Sequence, residues 1–538
     1  MGDFVSTAKP DAWENIVKQK RDQRTKSVKR YLNGAIDDSQ RASSATVLAI
    51  ADLVELRSLL ASGKLTACEV VSSYVRRAAE SHEKTNCLTE VFFDAALERA
   101  AELDEYFRQH RKLIGPLHGV PITLKDQFNV RGADSTIGYV ARANKPALEN
   151  AALLKILKAL GAVILAKTNL PQSIMWCETS NPLWGLTTNP MNAGFTPGGS
   201  TGGEGALLAM QGSLLGWGTD IGGSIRIPSH INGLWGLKPT STRLPYQGVS
   251  VSTEGQGHVP SAVGPMARSL STLIDVMQNV VNARPWNLDP NVTPLAWQEE
   301  VFNEVQTRPL TIGLLIDDGV VKVHPPIERA LRDLTDKLRS AGHEIVSWDC
   351  SGHKECIEIM DLFYSADGGE DIRREVEAGG EPFIPHVEAL INRGKAISVY
   401  EYWQLNKRKI AAQQAYNKKW NATGGSQSGR VADVILMPTM PHVAVPHGRC
   451  RWVGYTKVWN LLDYTALSFP AGIVNGHLDT KPDEPYEPRN DLDEWNWSLY
   501  NPKTMHAHPV GLQLVARRFE EEKVLGIATV IKKLLETR

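Results

Sequence analysis

Apolar positions recur at helical spacing over residues 47–61 and again over 66–81. The second run opens on Thr66-Ala-Cys-Glu69. A threonine with a glutamate three positions on can satisfy two of the amides that a helix start leaves without partners. Both runs predict surface helices. From residue 115 the pattern becomes an alternation: the apolar run Gly119–Leu124, a helical stretch Asn150–Leu160 that stops at Gly161, then a second apolar run Ala162–Ala166. The alternation returns in Leu310–Leu315, the amphipathic Pro326–Ala341 and Glu344–Trp348. Further strands are predicted at Val434–Met437, Ile473–Val474 and Val510–Val515, and a last helix over Glu520–Leu535. Strands alternating with helices indicate an α/β protein. Asn421–Arg430 and the acidic, proline-rich His477–Glu494 read as loops within one body.

Composition narrows the class. With 42% apolar and 22% charged residues, the 538-residue chain can bury a large core. Its net charge of −1 supplies no field to draw nucleic acid or anionic lipid, so a small-molecule partner is expected. Cys68, Cys87, Cys177, Cys350, Cys356 and Cys450 are scattered without CxxC spacing and read as reduced thiols. Residues 1–30 carry Lys18, Lys20, Arg21, Arg24, Lys26, Lys29 and Arg30 but no apolar core of the kind a signal peptide needs. The longest apolar stretch, Val47–Leu60, is broken by Asp52, Glu55 and Arg57. A cytoplasmic location without a transmembrane segment is expected. Residues 1–45 are set apart as a basic helical arm from a main domain over 46–538; the oligomeric state is open, with a homodimer among the expectations.

Residues 198–240 are crowded with glycine and hold two candidate side chains, with a third upstream. The segments are Gly119-Val-Pro-Ile-Thr-Leu-Lys125-Asp126, Pro197-Gly-Gly-Ser200-Thr-Gly-Gly-Glu-Gly and Gly218-Thr-Asp-Ile-Gly-Gly-Ser224-Ile-Arg226. A serine in a glycine-rich turn, or a lysine after an apolar run, is ordinary when it stands alone. Here two Gly-Gly-Ser loops lie 24 residues apart, downstream of a lysine on a predicted strand. Ala166-Lys-Thr-Asn-Leu-Pro-Gln-Ser173, Gly236-Leu-Lys-Pro-Thr240, Gly264-Pro-Met-Ala-Arg268 and Pro509-Val-Gly-Leu-Gln-Leu accompany them. Through these motifs the chain, from about residue 50 to 518, resembles the amidase signature family. Cys177-Glu178-Thr179 and the run Gly198–Ala206 make it most like the fungal acetamidase and fatty-acid amide hydrolase branch.

The resemblance implies an α/β/α sandwich with a mixed central β-sheet. It also implies a serine amidase without metal or cofactor, in which Ser224 is the nucleophile, Ser200 the bridging serine and Lys125 the base. A serine hydroxyl attacks an amide only when a base removes its proton. Lys125 can do so only when neutral, so its pKa must fall from about 10.4, which burial beside Val120–Leu124 would achieve. The Ser200 hydroxyl can take a proton from Ser224 while passing its own to Lys125. Ile221, Gly222, Gly223 and Ser224 offer consecutive backbone N–H groups for the oxyanion. Asp220 and Arg226 bracket this loop and are expected to hold it; Thr201 stands where the family commonly has serine and keeps a hydroxyl.

Ile174, Met175 and Trp176, with Trp184 and Trp217, supply large apolar surfaces close in sequence to the serines and without a basic cluster; Trp235 is a further candidate. They predict an apolar pocket and a small neutral amide as substrate. Other readings of the same residues are weaker. Cys177-Glu178 with Lys167 has the residue types of nitrilase chemistry, but an unreactive buried cysteine is expected. Gly198-Gly-Ser200-Thr-Gly202 fits G-x-S-x-G, yet it follows the loop-like Asn189–Pro197 rather than a strand. His506-Ala-His508 has no later histidine to complete a metal site, and Gly216–Gly222 is wrongly spaced for a dinucleotide. The alternative function is that of an amidase subunit in an amidotransferase complex, active only with partners.

Overall fold

The structure is a computed structural model and describes residues 12–32, 38–425, 428–482 and 485–537. Eleven strands form one mixed sheet: β1 (Leu88–Val91), β2 (Pro121–Lys125), β3 (Val163–Thr168), β4 (Leu215–Asp220), β5 (Trp235–Lys238), β6 (Ala262–Ala267), β7 (Thr311–Leu314), β8 (Glu344–Ser347), β9 (Val434–Pro438), β10 (Thr465–Ile473) and β11 (Pro509–Ala516). Their spatial order is β1-β3-β2-β4-β6-β5-β10-β11-β9-β7-β8. β2 runs parallel to β3 and β4, and β7 parallel to β8 and β9, while the middle of the sheet is antiparallel. β2, β4 and β9 are buried at every position, which requires cover on both faces, and helices supply it. The α/β/α expectation holds.

Most predicted elements appear within a residue or two, and the differences have local causes. The capping box is made as predicted: Thr66 and Glu69 exchange bonds at the start of Ala67–Thr85. The run 47–61 is two helices, because the Asp52 carboxylate accepts from Val54 N and Glu55 N and so opens a new helix at Leu53. The strand placed at Ile473–Val474 instead ends at Ile473 after nine residues. β4, β5 and β6 lie in or beside the glycine-rich region, where Gly216, Gly218, Gly236 and Gly264 erase the alternation of side chains that would reveal a strand. Four helices between 353 and 421 were not predicted.

Of the basic arm expected over 1–45, residues 1–11 and 33–37 lie outside the described residues. Helix α1 (Ala12–Leu32) packs on the body. Lys20 Nζ donates to Asp134 Oδ2 at 2.8 Å and also pairs with Glu90. Arg24 donates to Leu88 O, and its guanidinium lies over Trp184. No described helix is long and apolar enough to cross a membrane.

Replacing Lys20 with methionine would leave two carboxylates facing each other without their cation. A loss of about 3–5 kcal/mol is expected, read as a lower Tm and faster tryptic cleavage within 18–30. Unchanged melting and proteolysis would show that the apolar face alone holds α1.

Candidate active site

Parallel pairing of β2 with β4 sets Leu124 opposite Trp217 and brings the ends of the two strands together. Lys125 closes β2 and is fully buried. Its Nζ lies 2.6 Å from Ser200 Oγ and 3.1 Å from Thr219 Oγ1. Thr219 gives its own proton to Gln127 Oε1 at 2.6 Å, so its oxygen is left to accept from the lysine. Burial pushes the Lys125 pKa down to about 7, against an upward pull from Asp220. A neutral amine has two N–H groups and one lone pair; with one N–H on Thr219, the lone pair is free to face Ser200.

Ser200 sits in the turn before helix α2 (Gly202–Ala209), and Ser224 in the turn before helix α3 (Arg226–Asn232). Thr201 N donates to Ser224 O at 3.2 Å and ties the two turns together. The turns approach other backbone closely. A side chain at Gly199 would come within 2.8 Å of Cys177 and Glu178 backbone, and one at Gly223, where φ is +130°, within 2.3 Å of Thr456 Oγ1.

Asp220 organises the second turn. Its carboxylate accepts from Gly223 N at 2.8 Å, Ile225 N at 3.1 Å, Arg226 Nε and Nη2 at 3.0 and 2.9 Å, and Asn460 Nδ2 at 2.9 Å. Burial alone would raise its pKa, but Arg226, with Lys238 and Asn460, holds it below the usual carboxylate range. Arg226 is fully buried and also reaches Gln513 and Asn460. One expectation needs correction: Gly223 is not a free donor, because its N–H is already on Asp220. The amides of Ile221, Gly222 and Ser224 have no acceptor among the described residues.

Ser224, Ile221, Gly222 and Gly199 line a cavity of about 730 Å³. Ile174, Met175 and Trp176 form part of its wall, and Trp176 is held by stacking on His386 at 4.4 Å. Ser173 and Ile174 have left-handed φ values of +65° and +60°, strained for a β-branched residue. Trp184 and Trp217 are elsewhere: Trp184 supports α1 and Trp217 is core, while Trp235 stacks on Phe469. The expectation of no basic cluster also fails. Arg393, Arg408, Arg451 and Lys457 line the cavity together with Glu358 and Asp361, and Asp361 pairs with both Arg393 and Lys457. These residues come from 358–457, remote in sequence from the serines, and no local motif marks them.

The rival groupings are not assembled. Lys167 donates to Asp134 O and Ser135, Glu178 accepts from Gly448 N and Cys450 N, and Cys177 Sγ lies 2.7 Å from Cys450 Sγ. The segment before Ser200 contains no strand, unlike a nucleophile elbow. His506 accepts from Gly476 N, and His508 packs edge-on against Phe195.

A family model described as Amidase matches residues 69–525. The chain is 56% identical to Amidase 1 of Gibberella moniliformis, over 98% of its own length and 100% of that protein's. It is 37% identical to the acetamidase of Emericella nidulans, over 98% and 99% of the two lengths. A solved structure of fatty acid amide hydrolase superposes with a TM-score of 0.91 at 33% identity, covering 98% of this chain and 95% of that one.

Arg226→Gln should lower the unfolding free energy by about 3–5 kcal/mol, because it strands the buried Asp220 charge. Urea melts measure this. A change below about 1 kcal/mol would mean that Asn460 and the loop amides suffice to hold Asp220.

Proposed function

The chain belongs to the amidase signature family and is a serine amidase, and from that premise we propose that it hydrolyses neutral carboxylic amides to an acid and an amine or ammonia, with Ser224 as nucleophile, Ser200 as proton bridge and Lys125 as base. The reading is carried by the 2.6 Å contact between the buried Lys125 Nζ and Ser200 Oγ.

Above a pH of about 7, Lys125 is mostly neutral. As Ser224 Oγ attacks the amide carbon, its proton passes to Ser200 Oγ while the Ser200 proton passes to Lys125 Nζ. The carbonyl oxygen becomes an anion facing the Gly222 and Ser224 amides, with Ile221 N–H as a further donor. Collapse breaks the C–N bond, and the relay runs backwards to protonate the leaving nitrogen. Water then repeats the sequence on the acyl-enzyme and regenerates Ser224. Asp220 and Arg226 hold the loop and Thr201 joins the two serine turns; none of the three lines the cavity.

Ser224→Ala should abolish hydrolysis and labelling by a fluorophosphonate; wild-type labelling at another serine would refute the assignment. Ser200→Ala should slow the reaction by roughly 10²–10⁴. Activity of the isolated chain in this assay also separates a self-sufficient amidase from a partner-dependent subunit. Activity should climb as pH rises through about 7, following neutral Lys125, and level off above. Arg226→Gln exposes Lys125 to an unpaired carboxylate, so the midpoint should move upward. A midpoint that stays in place would remove Lys125 from the rate-controlling titration.

The cavity wall at Ile174, Met175 and Trp176 favours an apolar acyl group. Each buried methylene should add about 0.8 kcal/mol, roughly fourfold in kcat/KM, until the wall is filled. Hexanamide should therefore outrun acetamide. An amide ending in a carboxylate should lose to its neutral isostere, because Asp361 already engages Arg393 and Lys457. Preference for the carboxylate would mean that Arg408 and Arg451 capture it, and would replace the neutral-substrate reading without touching the serine chemistry.

A further inference from the structure

A peptide unit is planar and trans, so its C=O and N–H point in opposite directions. Whatever fixes a carbonyl thereby fixes the amide of the next residue. Every carbonyl from Ile221 to Ser224 has a donor. Helix α4 (His353–Tyr364) supplies Tyr364, whose Oη donates to Ile221 O at 2.8 Å. Helix α5 (Gly454–Leu461) supplies Thr456, whose Oγ1 donates to Gly222 O at 2.6 Å. Ile227 N donates to Gly223 O at 2.7 Å and Thr201 N to Ser224 O at 3.2 Å.

The amides on the opposite edges of these four peptides divide into two pairs. Gly223 N–H and Ile225 N–H donate to Asp220. Gly222 N–H and Ser224 N–H are without acceptors among the described residues. The Ser224 amide is aimed by a backbone bond inside the turn of α3. The Gly222 amide is aimed by a phenol 143 residues away in sequence. That phenol lies against the peptide it holds, since a side chain added at Gly222 would come 3.0 Å from Tyr364 Oη. Burial and the nearby Asp361 raise the Tyr364 pKa, so the hydroxyl remains a donor across the working pH range.

We propose that Tyr364 is a positioning residue for the reaction: its hydroxyl holds the Ile221–Gly222 peptide so that Gly222 N–H faces the oxygen that becomes negative when Ser224 attacks. The inference rests on the serine mechanism proposed above. A donor turned away from the oxyanion costs rate without costing ground-state affinity, because the charge it serves exists only in the transition state. A tyrosine that merely packed the cavity wall would affect both.

Tyr364→Phe keeps the ring and removes the bond. It should lower kcat about tenfold to a hundredfold, part of the roughly 10²–10³ that loss of a whole oxyanion donor costs, with KM within about twofold. Affinity for a trifluoromethyl ketone analogue of the best amide, whose serine adduct carries the alkoxide, should fall by the same factor as kcat/KM. Binding of the carboxylic acid product and the pH midpoint should not move. Calorimetric stoichiometry with the ketone counts competent sites, so misfolding registers as fewer sites rather than as weaker binding. An unchanged kcat, or equal weakening of ketone and product, overturns the role. Mapping the fluorophosphonate adduct on the wild type separates the two levels: an adduct away from Ser224 defeats the serine mechanism itself, whatever Tyr364→Phe does.

Discussion

Lys125 is an amine buried at the end of a fully buried strand, with two hydroxyl oxygens rather than a carboxylate as hydrogen-bond partners. In such a setting the ammonium form loses its hydration and gains little in return, so the group stays neutral near pH 7. That neutrality depends on what surrounds it. Among the described residues, Asp220 is the charge that pulls Lys125 back toward the ammonium form. The two buried N–H···O contacts from Arg226 engage that same carboxylate. Were Asp220 unpaired, it would draw a proton onto Lys125 and occupy the lone pair of the amine. The pair therefore folds the Ser224 turn and at the same time moderates the pull of Asp220 on the amine.

The same carboxylate decides which backbone groups remain available. By accepting from Gly223 and Ile225 it removes two amides from the turn and leaves their neighbours uncommitted. The glycines follow from this geometry. Gly223 takes a φ of +130° with the Thr456 hydroxyl where a side chain would stand, and Gly199 lies against the Cys177–Glu178 backbone. Close approach of neighbouring side chains and backbone, more than flexibility, explains the glycine-rich run.

The cavity is assembled from stretches far apart in the chain. The serine turns supply one end, residues 174–177 an apolar wall, and the segments 358–408 and 451–457, with Leu492, the rest. Charge and apolar surface thus meet in one space, with Asp361 shared between Arg393 and Lys457. The helices carrying these residues also reach back to the turn, through Tyr364 and Thr456. The cavity wall and the loop geometry are mechanically connected.

The sequence by itself determined the α/β class and the Thr66 capping box, and through its family motifs it singled out Lys125, Ser200 and Ser224 as candidates, of which the structure brings Lys125 and Ser200 into contact. Each is a local pattern: a periodicity, a spacing, or a glycine frame around one side chain. It also placed Asp220 and Arg226 beside the turn, being only six residues apart. It did not show that Asp220 takes the Gly223 amide, because that depends on the turn's actual path. Nor did it show that Trp184 and Trp217 face the core, since an aromatic residue in a buried strand or loop reads alike whichever way it points. Thr219, Gln127, Tyr364, Thr456, Asn460 and the ring of Arg393, Arg408, Arg451 and Lys457 were left to the tertiary structure. Their roles come from contacts across the sheet order β2-β4-β6 and between helices and a turn more than a hundred residues away, and no periodicity along a chain encodes which distant side chain will meet a given carbonyl.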